Sequence, residues 1–180
     1  HVDIPLFGIN LGTVGFLTEG EVTNWREIID RLFADDFDIQ ERMMIKGSIK
    51  KSICGSVSVS DTLSSDNTSG YSSGVFRKRA LNDIVISRAG FSRLIGLDVY
   101  VNGSFLNAYE GDGIIISTPT GSTGYNLSAG GPIVDPMAKL MIITPVCPHS
   151  LTSKSIVLPS DAKVSIAIAK KRKTQDTEAI

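Results

Sequence analysis

The residues best suited to chemistry fall between Glu110 and Pro132, EGDGIIISTPTGSTGYNLSAGGP. An apolar run, Ile114 to Ile116, empties into a loop carrying Thr118, Thr120, Ser122 and Thr123, with Gly121 and Gly124 interleaved. Glycines leave backbone N–H groups open to a ligand, and Ser122 or Thr123 is placed to cap a short helix over Tyr125 to Ala129. Such a loop is a cradle suited to a nucleotide. It lacks the Gly-Lys-Ser/Thr ending of a Walker A loop and does not have GxGxxG spacing, so neither of those phosphate-binding devices applies. On residue types alone a capped strand-to-helix turn fits as well.

Asn82-Asp83 directly precedes the apolar run Ile84 to Ile86. A carboxylate accepts both hydroxyl protons of a vicinal diol such as a ribose, while an amide donates and accepts against a base or hydroxyl. In isolation the pair is also a turn dipeptide. Asp112, between Gly111 and Gly113, is either a turn residue or a carboxylate held at a cleft by backbone that can bend around it. His149 has only the terminal His1 and the neighbouring Cys147 for company, too few ligands for zinc, and is expected to be packed and hydrogen-bonded.

The elements that would position these groups are mostly strands. Val57 and Val59 alternate with serines, as do Val164, Ile166 and Ile168 with Ser165, Ala167 and Ala169. Strands are expected near 45–60, 80–88, 95–101, 104–109, 113–118, 140–144, 155–158 and 163–169, and Asn102-Gly103 should turn a type I′ hairpin. Ile4 to Ile9 reads as a short strand leading into a glycine-rich turn. Asn24 is placed to cap a helix in which Trp25, Ile28, Ile29, Leu32 and Phe33 form one apolar stripe, expected to pack in the core. The Ser/Thr/Asp/Asn/Gly stretch from Ser60 to Gly74 is expected to be a mobile hairpin tip, and Lys170 to Lys173 a solvated charge run.

The chain has 180 residues, 42% hydrophobic and 21% charged, which suits a folded globular protein. With 18 basic against 19 acidic residues the net charge is -1, so no global field gathers nucleic acid or an anionic membrane, and neither is an expected partner. The longest apolar runs fall far short of the ~20 residues that span a bilayer. Two cysteines without a CxxC pair support neither a disulfide framework nor a thiolate zinc site, and point to a reducing, cytoplasmic setting.

Taken together, GINLGTVGFLTE (Gly8 to Glu19), ALNDIVISR (Ala80 to Arg88), GDGIIISTPTGSTGYNLSAGGPIV (Gly111 to Val134) and TPVCPHSL (Thr144 to Leu151) resemble the NAD kinase family in order and interval. The resemblance implies phosphoryl transfer from ATP or inorganic polyphosphate, with Mg2+, to the 2′-hydroxyl of the adenosine ribose of NAD, giving NADP. It implies that Asn82 and Asp83 hold the adenosine ribose and base. Thr120, Thr123, Gly124, Tyr125 and Ser128 fall on the substrate loop, Asp112 on an aspartate directed at the nicotinamide side, and Arg93 where a basic residue would suit the dinucleotide's phosphates. A homodimer or homotetramer is also implied.

The implied fold is mainly β: the family's C-terminal domain, two packed sheets with one flanking helix. Residues 1–19 are then expected to be a crossover from an N-terminal α/β domain, and 20–180 a β-rich NAD-binding domain that is incomplete at its C-terminal end. The family's GGDG motif, which supplies the catalytic aspartate and donor contacts, does not occur in these residues, so no catalytic residue is assigned here and the chain by itself is expected to be inactive. Gly124 stands where alanine is usual and Glu110 where a basic residue is often found. The competing readings are a pyridine-nucleotide-binding module without kinase activity and a lipid or sphingoid-base kinase, whose apolar pocket the Asn82-Asp83 pair and hydroxyl-rich loop argue against.

Overall fold

The structure, a computed structural model, describes residues 4–12, 18, 20–50, 56–60, 75–89, 94–150 and 153–169, with the backbone alone at 50, 56–60, 75 and 76. The chain divides into two compact units, His1–Glu41 and Arg42–Ile180.

In the first unit, β1 (Ile9–Asn10) pairs in parallel with β2 (Gly20–Glu21), and α1 (Trp25–Phe33) follows. The strand expected over Ile4 to Ile9 is confined to its end. Asn24 occupies the N-cap position, but its side chain accepts from the backbone N–H of Glu21 at 2.9 Å and does not cap the helix. The expected core packing of the α1 stripe is not found: no residue of the helix is buried, and Phe33 is 87% exposed. The described residues of this unit close too little surface to enclose a helix face. Ile28, partly buried, and Phe7 both crowd the face of Gly20, which is as far as such packing goes.

The second unit is the expected pair of packed sheets. One runs β11 (Ile156–Pro159), β10 (Leu140–Val146), β9 (Gly113–Ser117), β6 (Asp83–Ser87). The other runs β5 (Val75–Ala80), β3 (Ile45–Lys50), β4 (Ser56–Ser60), β12 (Val164–Ile168), β7 (Ile95–Val101), β8 (Ser104–Gly111). The stretch read as one strand over 45–60 is two antiparallel strands. Asn102 and Gly103 both have positive φ, 51° and 85°, as the type I′ turn between β7 and β8 requires. The Ser60 to Gly74 tip, apart from Ser60 itself, and the run Lys170 to Lys173 lie outside the described residues.

Between the sheets, Ile114, Ile116, Met141 and Ile143 meet Ile45, Leu97, Val99, Val164 and Ile166, all 0–1% exposed. Alternation places Ile115, Ser117, Ile142 and Thr144 on the opposite face of the β9–β10 pair, yet these too are at most 1% exposed. That face is covered by the segment after β9: a 3₁₀ turn (Thr120–Thr123) and α2 (Tyr125–Ser128), which packs back on β9. A strand buried on both faces reads as an unbroken apolar run, which explains Ile114-Ile115-Ile116.

Candidate functional site

Two clusters stand at opposite ends of the antiparallel β6–β9 pair, in which Asp83 faces Ser117 and Ser87 faces Gly113. From Asp83 to Arg88, five residues at roughly 3.3 Å each, the ends are about 17 Å apart.

At the first end the loop after β9 is clamped onto the residues before β6. The Thr118 N–H donates to the Asn82 carbonyl at 2.8 Å, the Thr118 hydroxyl to the Leu81 carbonyl at 2.5 Å, and the Gly121 N–H to the Thr118 hydroxyl at 3.1 Å. Gly121 sits so close that a Cβ there would lie 2.1 Å from the Asn82 carbonyl oxygen, so this position admits glycine alone. The expected side-chain caps do not form. Ser122 instead bonds the backbone of Val134, the Thr123 hydroxyl donates to the Thr120 carbonyl, and the N-cap of α2 is Gly124. The reason is that both hydroxyls are already engaged, Ser122 with Val134 beyond α2 and Thr123 within the 3₁₀ turn.

Below α2 lies a polar network. The Asn126 amide, fully buried, donates to the carbonyls of Ser122 and Pro132 at 3.0 and 2.9 Å, and its oxygen accepts from the Thr144 hydroxyl at 2.7 Å. Thr144 also meets the Ser155 hydroxyl at 3.0 Å. The sequence reading did not single out these residues; a threonine interrupting LMIITPV was the available signal.

This scaffold brings Asn82, Asp83, Thr120, Thr123, Gly124, Tyr125 and Ser128 to one end. A Cβ on Gly124 would be 3.9 Å from both the Asn82 amide nitrogen and the Asp83 carboxylate. Tyr125 is 47% exposed, and Ser128, three residues on, shares its side of the helix turn. The Thr120 hydroxyl is buried with no hydrogen-bond partner, a state that costs free energy unless a ligand supplies one. Among the described residues nothing pairs with the Asp83 carboxylate, and partial burial raises its pKa. The geometry therefore offers an under-solvated acceptor beside an amide, an unpartnered hydroxyl and an open aromatic face.

At the second end the Asp112 carboxylate accepts from Arg88 Nε at 2.7 Å. The ladder continues through this pair, with the Arg88 N–H donating to the Asp112 carbonyl and the Asp112 N–H to the Val146 carbonyl, each at 3.0 Å. Arg88 was not among the residues picked out from sequence, because its nearness to Asp112 depends on strand register. Arg93 lies outside the described residues. His149, expected to be packed, is exposed; its backbone N–H donates to the Glu110 carbonyl at 2.9 Å, so a main-chain bond holds the turn and the ring is left at the surface.

Comparison with known proteins gives a consistent result. Residues 81–178 match the ATP-NAD kinase C-terminal domain. An NAD kinase of Lachnoclostridium phytofermentans is 48% identical over 180 residues, covering 100% of this chain and 57% of the relative; one from Moorella thermoacetica is 39% identical, covering 91% and 46%. The chain thus spans about half the length of the curated relatives it matches. Among solved structures, yeast NADH kinase complexed with NADH superposes with a TM-score of 0.76 at 30% identity, covering 93% of this chain and 41% of that one. An Archaeoglobus fulgidus NAD kinase in complex with ATP gives 0.64 at 25% identity, covering 92% and 66%.

Proposed function

Because the chain belongs to the ATP-NAD kinase family through its C-terminal domain, we propose that the whole protein phosphorylates the 2′-hydroxyl of the adenosine ribose of NAD, and that this chain supplies the NAD-binding surface. The observation that carries the reading is the Asp83 carboxylate, unpaired among the described residues, raised in pKa by partial burial, and close to the Asn82 amide beside Gly124. Hydroxyl donors of a ribose restore to such a carboxylate the hydrogen bonds that burial removed. Asn82 then reads the base, Tyr125 lies against adenine by its face, and Thr123, Gly124 and Ser128 line the pocket. On the resemblance alone, Asp112 at the other end of the β6–β9 pair is assigned to the nicotinamide half. Arg93 is assigned to the phosphates on the resemblance alone.

In the reaction the 2′-oxygen attacks the terminal phosphorus of the donor, the bond from that phosphorus to the leaving phosphate breaks, and the hydroxyl proton passes to a base. Positioning supplies most of the rate of such a transfer, and the groups of this chain position the acceptor. The donor, ATP or polyphosphate, and the base of a GGDG motif belong in this proposal to the remainder of the protein, with 1–19 as the crossover from an α/β domain. Among the described residues no three His, Cys, Asp or Glu side chains gather into a metal site; in this proposal Mg2+ comes with the donor phosphates. A cytoplasmic homodimer or homotetramer is part of the same proposal.

Calorimetric titration with NAD tests the reading, paired with saturation-transfer NMR. Contact to adenosine protons is expected; contact confined to nicotinamide protons sinks it. With NAD, ATP and Mg2+ the chain alone should form no NADP above the no-enzyme control. NADP formation abolished by a substitution within it would mean that a catalytic group here had been overlooked.

A further inference from the structure

We propose that the outer face of the six-stranded sheet is where a second copy of this chain docks, the two copies being related by a twofold axis that lies between them and runs along the strands. The inference names a surface for the self-association included in the proposed function, and it rests on the charges of this sheet, independent of the dinucleotide. Alternation sends Ile45, Leu97, Val99, Val164 and Ile166 into the core, so their strand neighbours stand on the other face. Across the order β5-β3-β4-β12-β7-β8, cations gather at one end of that face and anions at the other. Lys46 of β3 lies directly opposite Arg79 of β5, with Arg77 two residues along. Like charges so placed are destabilising, and an anion from outside would relieve them. Asp98 of β7 and Glu110 of β8 occupy the far end, Asp98 between Ala167 and Ala108, whose short side chains leave its carboxylate approachable. Among the described residues none of these five charges meets an opposite one.

One cross-strand row decides how the copies sit. By register it runs Arg77, Ser48, Ser58, Ser165, Tyr100, Phe105, a cation at one edge, an aromatic pair at the other and serines between. The Tyr100 and Phe105 rings meet edge to face at 5.6 Å, and Phe105 is 59% exposed. Rotation about an axis along the strands, between β4 and β12, reverses the row. Arg77 of one copy then comes over Phe105 of the other, where a guanidinium is attracted to the ring, and lies one row from the other copy's Asp98. An axis across the strands would instead set β5 on β5 and β8 on β8, like charge against like. A partner of a single sign would satisfy one end of the face; a second copy satisfies both, twice over by symmetry. The face spans about 24 Å across its strands and about 17 Å along five residues, less than the ~800 Å² per partner of a standard interface, so the association depends on concentration and weakens with salt.

The test is sedimentation of the full 180-residue chain over a range of concentrations. A dimer is expected at low salt, its dissociation constant rising about tenfold between roughly 0.05 and 0.5 M salt. R77E/R79E leaves Lys46 as the single cation of the five, and D98K/E110K makes all five positive. Each variant alone should sediment as a monomer, and an equimolar mixture of the two should recover the dimer, which a merely damaged fold would not do. A parent chain that stays monomeric, a double variant that dimerises as the parent does, or a mixture that stays monomeric overturns the inference. Should D98K/E110K fail to fold by circular dichroism, R77E/R79E decides: a monomer supports the inference and an undiminished dimer overturns it. Calorimetry with NAD on the same samples keeps the two readings apart. A monomeric parent that binds NAD overturns this inference and leaves the functional reading standing, whereas a dimer that responds to these variants without binding NAD supports this inference and removes the functional reading.

Discussion

The two ends of the β6–β9 pair treat a carboxylate in opposite ways. Asp83 lies unpaired among the described residues, part-buried and raised in pKa, while Asp112 is met by Arg88 at 2.7 Å. A carboxylate partly withdrawn from water and without a protein donor keeps its acceptor sites for solvent or a ligand, whereas a paired one has already used one of them. In the proposed reading a polyol's hydroxyls complete the Asp83 carboxylate, while the Asp112 carboxylate is already met by Arg88 within the chain. It also explains where the scaffold is tightest. The Asp83 end is backed by Gly121 pressed on Asn82 and by the buried Asn126–Thr144 network; the Asp112 end rests on two backbone bonds and a half-exposed ion pair.

The sharpest way to break this contrast is Gly121→Ala. The new methyl would meet backbone at 2.1 Å, which cannot rotate away, so the loop must lift off Asn82. A loss of about 3 kcal/mol in stability is expected, the upper range for overpacking, with NAD binding lost as well; urea unfolding measures the first and calorimetry the second. Next in size is Asp83→Ala, expected to weaken NAD binding by about 1.5–3 kcal/mol, the worth of a charge-assisted hydrogen bond. An unchanged affinity would take Asp83 out of the site.

Thr144→Val keeps the shape of the side chain but leaves the buried Asn126 oxygen without its donor. It should cost about 1–2 kcal/mol of stability by thermal melt and weaken NAD binding only as far as α2 loosens. A loss of affinity at full stability would instead place Thr144 in contact with the ligand.

The smallest effect separates stability from function at one residue. Since burial raises the Asp83 pKa in the folded protein, its contribution to stability is fully present below the ordinary carboxylate pKa and is lost as pH rises through the raised value. Asp83→Asn should therefore stabilise the chain slightly at neutral pH, with the gain vanishing at pH values below the ordinary carboxylate range, while still weakening NAD. Melting curves across the acid range check the sign; a gain that grows toward low pH would contradict it.

Much of this was readable along the chain because its causes are local. Asn102-Gly103 turns a hairpin through its own tolerance of positive φ, the alternating Val/Ser and Ile/Ala runs are period-two strands wherever they sit, and the unbroken Ile114 to Ile116 run marked a strand. The hydroxyl loop and Asn82-Asp83 were visible as residue types apt for one ligand, and four ordered motifs placed them in a family. The α1 stripe shows the limit of such reasoning. Its periodicity determined a helix with an apolar side, but whether that side is covered depends on surface that other parts of a fold provide, and the described residues of the first unit provide too little. Register decided the rest. That Arg88 meets Asp112, that Gly121 rests on Asn82, and that Thr144 reaches Asn126 are contacts between residues 18 to 39 positions apart, set by which strands pair and by how the segment after β9 folds back. Composition and spacing carry no information about such distances, because they are fixed only when the strands align and the two sheets close on their shared core.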